Sequence, residues 1–201
     1  NSYITESGSG NLIIQSSQTQ ILNAGGTEMC ARFDADGAVE LHYDSVKTFN
    51  TIANGINVRG TEGAEAYVEI FADEGDDNVD KWRVLASAAN NTLQFQNYGS
   101  GSWADEGIIG GDGSYTATGN VTAYSDARLK TDVETIENAL DKVTKLRGVS
   151  YTKIDTDERG IGVIAQEIEE VIPEVVQDGA FKSVAYGNIV GVLIEAIKEL
   201  K

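Results

Sequence analysis

The chain has 201 residues and a formal net charge of −17, with 32 Asp and Glu against 15 Lys and Arg. That balance argues against nucleic acid or an anionic membrane as partner, since both are bound through positive charge. The single cysteine, Cys30, excludes an intrachain disulfide, and no apolar run reaches the ~18 residues of a membrane span.

Nothing at Asn1 reads as a signal peptide, and the missing initiator Met points to a piece of a longer chain. Composition changes sharply near position 124. Residues 1–124 hold 16 of the 22 glycines and a net charge of −12, whereas residues 125–201 carry −5 and turn to helical periodicity. Two domains are therefore expected, 1–124 and 125–201.

The first region predicts short strands with one buried face, because apolar residues recur at every second position. Leu12, Ile14 and Ile21 lie in "NLIIQSSQTQIL", and Val39, Leu41 and Tyr43 alternate with Glu40, His42 and Asp44. "YVEIF" (67–71) and "LQFQNY" (93–98) follow the same rule. Turn chemistry separates the runs at Asp36-Gly37, Asn54-Gly55, Gly75-Asp76, Asn90-Asn91 and Gly111-Asp112-Gly113. A loose internal echo links residues 32–45 with 83–100. The apolar faces are thin, with Trp82 and Trp103 as the large anchors. This predicts either a modest sandwich or, the better reading, strands from several chains completing one another's core as a fibre.

Candidate sites in this region have plainer explanations. "DEGDDNVD" (73–80) resembles a calcium loop, but its glycine comes too early and the twelfth position lacks an acid, so it reads as a solvated acidic turn. His42 is the only histidine and reads as a strand surface residue; Cys30 reads as a small apolar strand residue. Glu62, Glu65 and Glu69 offer a glycosidase-like carboxylate pair, as any acid-rich chain does. No metal site is predicted.

From Ser125 the pattern changes. Thr131-Asp132-Val133-Glu134 fits a capping box. The helix expected after it carries Ile136, Leu140 and Val143 on one face and stops at Gly148. Strands are expected at "VSYTKI", at "IGVIA" (161–165) and at "FKSVAY" (181–186), and a short helix at "QEIEEVI" ended by Pro173. The last stretch, "NIVGVLIEAIKELK", is apolar around more than half its circumference and predicts a long C-terminal helix bundled with copies of itself or docked on its own sheet.

The order of motifs "SDARLKTDV", "LDKVTKLRGVSYT", "GVIAQEIEEVIPEVV" and "YGNIVGVLIEAIKEL" resembles the intramolecular chaperone domain of phage tail spikes and tail fibres, the S74 family of self-cleaving peptidases. A related domain occurs in the myelin regulatory factor. Residues 1–124 resemble, less closely, the repetitive shaft or tip segments of tail fibres. The resemblance implies a β-rich repetitive trimeric fibre segment followed by a small α+β chaperone domain ending in a trimeric helical bundle. It implies a homotrimer in the virion, assembled in the host cytoplasm and meeting a host-cell surface receptor, a glycan or other outer-surface component, through the fibre part. Nucleic acid, membrane insertion and cofactors have no part in it. The bond cut in the family precedes the motif serine, here Tyr124–Ser125. The Ser–Lys dyad maps onto Ser125 as nucleophile and Lys130 as base, with Asp126 and Arg128 holding the motif in shape.

The chemistry sets its own conditions. A serine hydroxyl is inert until a base takes its proton, and a lysine serves only when its amine is neutral. Burial or a cationic neighbour must provide that; Arg128 is a candidate neighbour, and trimer assembly would supply burial. Residues five apart face opposite sides of a strand and diverge by about 140° on a helix. Ser125 and Lys130 therefore need a turn between them, or must meet across chains. Two other readings remain: a trimeric receptor-binding fibre with a permanently attached, non-cleaving cap, and a glycan hydrolase, which would need a catalytic domain upstream.

Overall fold

Sequential antiparallel hairpins build the first part of the chain, as the alternating runs and intervening turns dictate. A computed structural model describes residues 8 and 10–200; the reading at Asn1 and the final residue, Lys201, lie outside them. The chain divides into two compact units, Asn1–Thr122 and Ala123–Lys201.

In the first unit, β1 (Gln18–Leu22), β2 (Met29–Asp34), β3 (Val39–Tyr43), β4 (Val46–Ile52) and β5 (Gly55–Val58) form one sheet in sequence order. A second sheet has β6 (Ala66–Phe71), β7 (Lys81–Ser87), β8 (Thr92–Asn97), β9 (Ala104–Gly110) and β10 (Tyr115–Ala117), again each beside the next. The turns have the backbone their residues allow. Asp44 and Ser45, joining β3 to β4, both take positive φ (50° and 61°), as a two-residue hairpin whose twist matches its strands requires. Leu12 and Ile14 fall outside any strand, since β1 begins only at Gln18.

Side chains directly opposite one another share a face, and this exposes an unusual distribution. One row across the first sheet is apolar, Ile21–Ala31–Leu41–Phe49–Val58. The neighbouring row, on the opposite face, is polar: Gln20–Arg32–Glu40–Asn50–Asn57. The polar row is buried at its centre, whereas the apolar row is buried only at Ala31. Glu40 and Asn50 are each 5% exposed, while Leu41 remains 45% exposed. In the second sheet the covered face mixes polar and apolar residues, with Gln94 opposite the fully buried Leu85. That sheet's apolar row Val68–Val84–Phe95–Gly107–Ala117 leaves Phe95 40% exposed, whereas Gln94 and Gln96 are buried. The expected thin buried faces are therefore open faces in a single chain. Trp82 is exposed beside Ile70 rather than anchoring a core. Trp103 instead stacks with the Arg83 guanidinium, 4.5 Å from the ring centroid, and meets Tyr98 edge-on.

The second unit has an interior of its own. It contains α1 (Ala139–Lys145), the hairpin β11 (Val149–Thr152) and β12 (Arg159–Gly162), α2 (Ala165–Glu169), the two-residue pair β13 (Val176–Gln177) and β14 (Ser183–Val184), and α3 (Ile189–Glu199). Ala139, Ile168, Ile172, Val175, Val192 and Ala196 are buried together, with Ile136, Leu140 and Val143 packed on them. Proline opens a 3-10 turn at Pro173–Val175, just past α2. Gly162 admits Tyr186: a Cβ there would stand 2.7 Å from its hydroxyl.

Two expectations need correction here. The C-terminal helix is short, with 11 residues in α3 preceded by a 3-10 turn at Tyr186–Asn188. The capping box does not form. Helix α1 starts only at Ala139, after Asn138 in the left-handed region (φ 53°), and its first amides are capped from elsewhere. The Glu199 carboxylate at the end of α3 accepts from Ala139 N (2.9 Å) and Leu140 N (2.8 Å). The Leu140 and Ala139 amides hold the Glu199 carboxyl below the ordinary carboxylate range. No helix among the described residues is long and apolar enough to cross a membrane.

Candidate functional site

The stretch 124–130 is positioned by a single turn. Asp126 has extended backbone (φ −66°, ψ 135°) and is the N-cap of a 3-10 turn over Ala127–Leu129. Its Oδ1 accepts from Arg128 N at 2.8 Å, and the turn closes through Leu129 N to Asp126 O and Lys130 N to Ala127 O, each 3.1 Å. Three residues at the tighter 3-10 pitch bring the chain back on itself. Lys130 then returns to Ser125, and its Nζ donates to Ser125 Oγ at 2.8 Å within one chain. The turn required between the two residues is present.

The surrounding groups are solvent-facing. Ser125 and Lys130 are exposed, and Tyr124 is 96% exposed. Arg128 is engaged with an acid of its own motif. Its guanidinium lies against Asp126, with Nη2 at 2.7 Å from Oδ2 and Nε at 3.0 Å from Oδ1. This hydrogen bonding, side chain first and then backbone, holds the Asp126 carboxyl below the ordinary carboxylate range. The Arg128 cation of the motif is thus already paired, and Lys130 is exposed in the single chain.

The other candidates fall as follows. Asp73, Asp76 and Asp80 bring ligand oxygens within 4.8 Å of one another, in an acidic turn where such gatherings are common. His42 is not a surface residue. Its side chain is 11% exposed, with Nε2 3.4 Å from Glu40 Oε2. Lys47 and Arg32 approach the other Glu40 oxygen at 2.9 and 3.3 Å. The Lys47 hydrogen bond is the main reason that the Glu40 carboxyl lies below its usual range, against the opposing effect of burial. Cys30 is free and exposed on β2. Glu62, Glu65 and Glu69 are exposed, and Glu69 faces Arg83 across the ladder. Glu199 and the basic groups around Glu40 had no local signal, since their partners come from other elements.

Residues 125–177 match the family described as chaperone of endosialidase. The long tail fiber protein Gp37 of Enterobacteria phage T2 is 30% identical over 190 residues, covering 89% of this chain and 13% of that protein. Gp37 of Enterobacteria phage K3 is 38% identical over 92 residues, or 40% of this chain and 7% of its own length. Gp37 of Enterobacteria phage M1 is 33% identical over 106 residues, covering 44% of this chain and 42% of that protein. The chain thus spans about an eighth or less of the T2 and K3 proteins. The family match begins at Ser125, the serine that accepts the Lys130 hydrogen bond. Residues 125–177 carry the chaperone-of-endosialidase signature, on a chain related to phage long tail fibre proteins.

Proposed function

We propose that this chain is part of a trimeric phage tail fibre, a virion component whose C-terminal domain sets three copies in register and then severs itself at Tyr124–Ser125. The observation that carries the reading is the 2.8 Å contact between Lys130 Nζ and Ser125 Oγ, at the first residue of the family match.

The cut proceeds in two steps. With the Lys130 amine neutral, it takes the Ser125 hydroxyl proton, and Oγ attacks the Tyr124 carbonyl carbon. The C–N bond to Ser125 breaks as the proton passes from Lys130 to the departing nitrogen, leaving an ester on Oγ. Water then hydrolyses the ester, giving a Tyr124 carboxylate and a free Ser125 amine. Each chain is cut once. Because both side chains are exposed in one copy, the amine loses its solvation only when neighbouring copies cover the site, which couples cleavage to assembly.

The open apolar rows support assembly as a trimer. Strands from several chains that pair at long range fold slowly and slip in register. A small unit with its own core holds their ends together and raises their effective concentration. Removing that unit afterwards takes away the template, so the fibre persists kinetically. The fibre part is also the surface offered to a host receptor.

A denaturing gel of the expressed chain tests this. Wild type gives bands of 124 and 77 residues, Ser125→Ala gives one, and Lys130→Ala cleaves about 10²–10⁴-fold more slowly. One uncut band in all three leaves the domain as a permanent cap.

A further inference from the structure

The Ser125–Lys130 contact depends on a turn that the chain could easily lose. Residues 119–126 and 130–138 flank it without helix or strand, and the side chains of the turn are exposed. All but one of the hydrogen bonds that define it converge on Asp126: its carbonyl receives Leu129 N, its side chain receives Arg128 N, Nε and Nη2, and only Lys130 N goes elsewhere, to Ala127 O. Two kinds of bond are mixed here, a backbone cap and an ion pair, and they can be weighed separately.

The ion pair is the weaker candidate. Arg128 is 88% exposed at its side chain and Asp126 41%, so the pair is screened by water and contributes little. The cap acts on the backbone. It satisfies the Arg128 amide, one of the donors that a turn leaves orphaned at its start. It also fixes the extended-to-helical change at Asp126 that redirects the chain toward Ser125. Without it the segment regains the freedom of its neighbours, and a five-residue separation no longer brings Nζ to Oγ. Loss of about an ångström of alignment is costly for a reacting pair.

We infer that Asp126 is the positioning residue of the Ser125–Lys130 pair, acting through its cap on the Arg128 amide rather than through its ion pair with the Arg128 side chain. The inference rests on the self-cleavage reading above. It sets an order among variants that a purely electrostatic role would not give. Asparagine caps as well as aspartate but cannot form the ion pair, and Arg128→Ala keeps the cap while removing the pair.

The test is the first-order rate of self-cleavage in the full-length chain, followed by denaturing gel across a range of pH, with the oligomeric mass checked for each variant. Asp126→Ala is expected to cleave about tenfold or more slowly at every pH, with the midpoint of the pH profile unmoved, because the base is still Lys130. Asp126→Asn and Arg128→Ala are expected within about threefold of wild type. Wild-type rates in Asp126→Ala overturn the inference, as do Asp126→Asn and Arg128→Ala that are both as slow as Asp126→Ala. Should Asp126→Ala fail to assemble, the other two still decide: near-wild-type rates support the cap, and a slow Asp126→Asn overturns it. A wild-type chain that stays whole removes the self-cleavage reading and this inference with it. A wild-type chain that is cut, with Asp126→Ala unchanged, removes this inference alone.

Discussion

The two units solve the burial problem in opposite ways. Residues 123–201 close an interior of their own, where Ile168 is 1% exposed and Ala139 is fully covered. Residues 1–122 keep extensive strand pairing but turn their apolar rows outward, and Leu85 is the one large side chain fully buried among the described residues there. Hydrogen-bonded ladders fix strands without requiring a core, but water exclusion is the main favourable term in folding. The difference teaches which unit can stand alone: the second has an interior of its own, whereas the first leaves apolar rows open in a single chain, as the proposed assembly with copies requires.

Breaking the self-sufficient side should give the largest effect. Ile168→Ala removes a side chain from the centre of the second unit and should cost about 2–5 kcal/mol, read as a lower urea midpoint. A midpoint within experimental error of wild type would mean that the unit has no core of its own.

The next test moves to the open side. Leu41→Lys places a charge in a row that is half exposed in one chain. It should leave the melting of the second unit unchanged while shifting sedimentation from assembled to single chains. Unchanged assembly would mean that this face is not covered by copies.

A smaller effect sharpens the second unit's internal economy. Glu199→Ala removes the cap on α1 and should lower the melting temperature by about 2–5 °C. The sign with pH follows from the lowered Glu199 value. Its stabilisation is complete above the ordinary carboxylate value of 4.5 and is lost as pH falls through the lower folded value. Wild type and variant should therefore converge in acid, and a difference that persists there would assign the effect to packing instead.

Much of this was legible from residues near one another in the chain. Period-2 runs marked β3 and β8, turn residues marked the hairpins, and the change after Tyr124 marked a different kind of structure. What stayed hidden was non-local. Thr131 and Glu134 have the spacing of a capping box, but Glu199, 60 residues beyond Ala139, takes the role because α3 packs against α1. His42 looks like a solvent-facing strand residue until it is seen to join Arg32 and Lys47, from the two neighbouring strands, around Glu40. Ser125 and Lys130 showed the right residue types, but their meeting depends on a turn that spacing alone does not reveal. The apolar rows were visible as thin; that most of their side chains stay exposed follows only from the folded sheets.

The claim that joins these observations is that the exposed Ser125–Lys130 pair becomes reactive when copies assemble around it. It is tested most directly by refolding the denatured full-length Ser125-containing chain over a hundredfold range of concentration and following uncut chain and oligomer together. The account predicts that cleavage lags behind trimer formation and accelerates with concentration. Cleavage of single chains at a rate independent of concentration would contradict it.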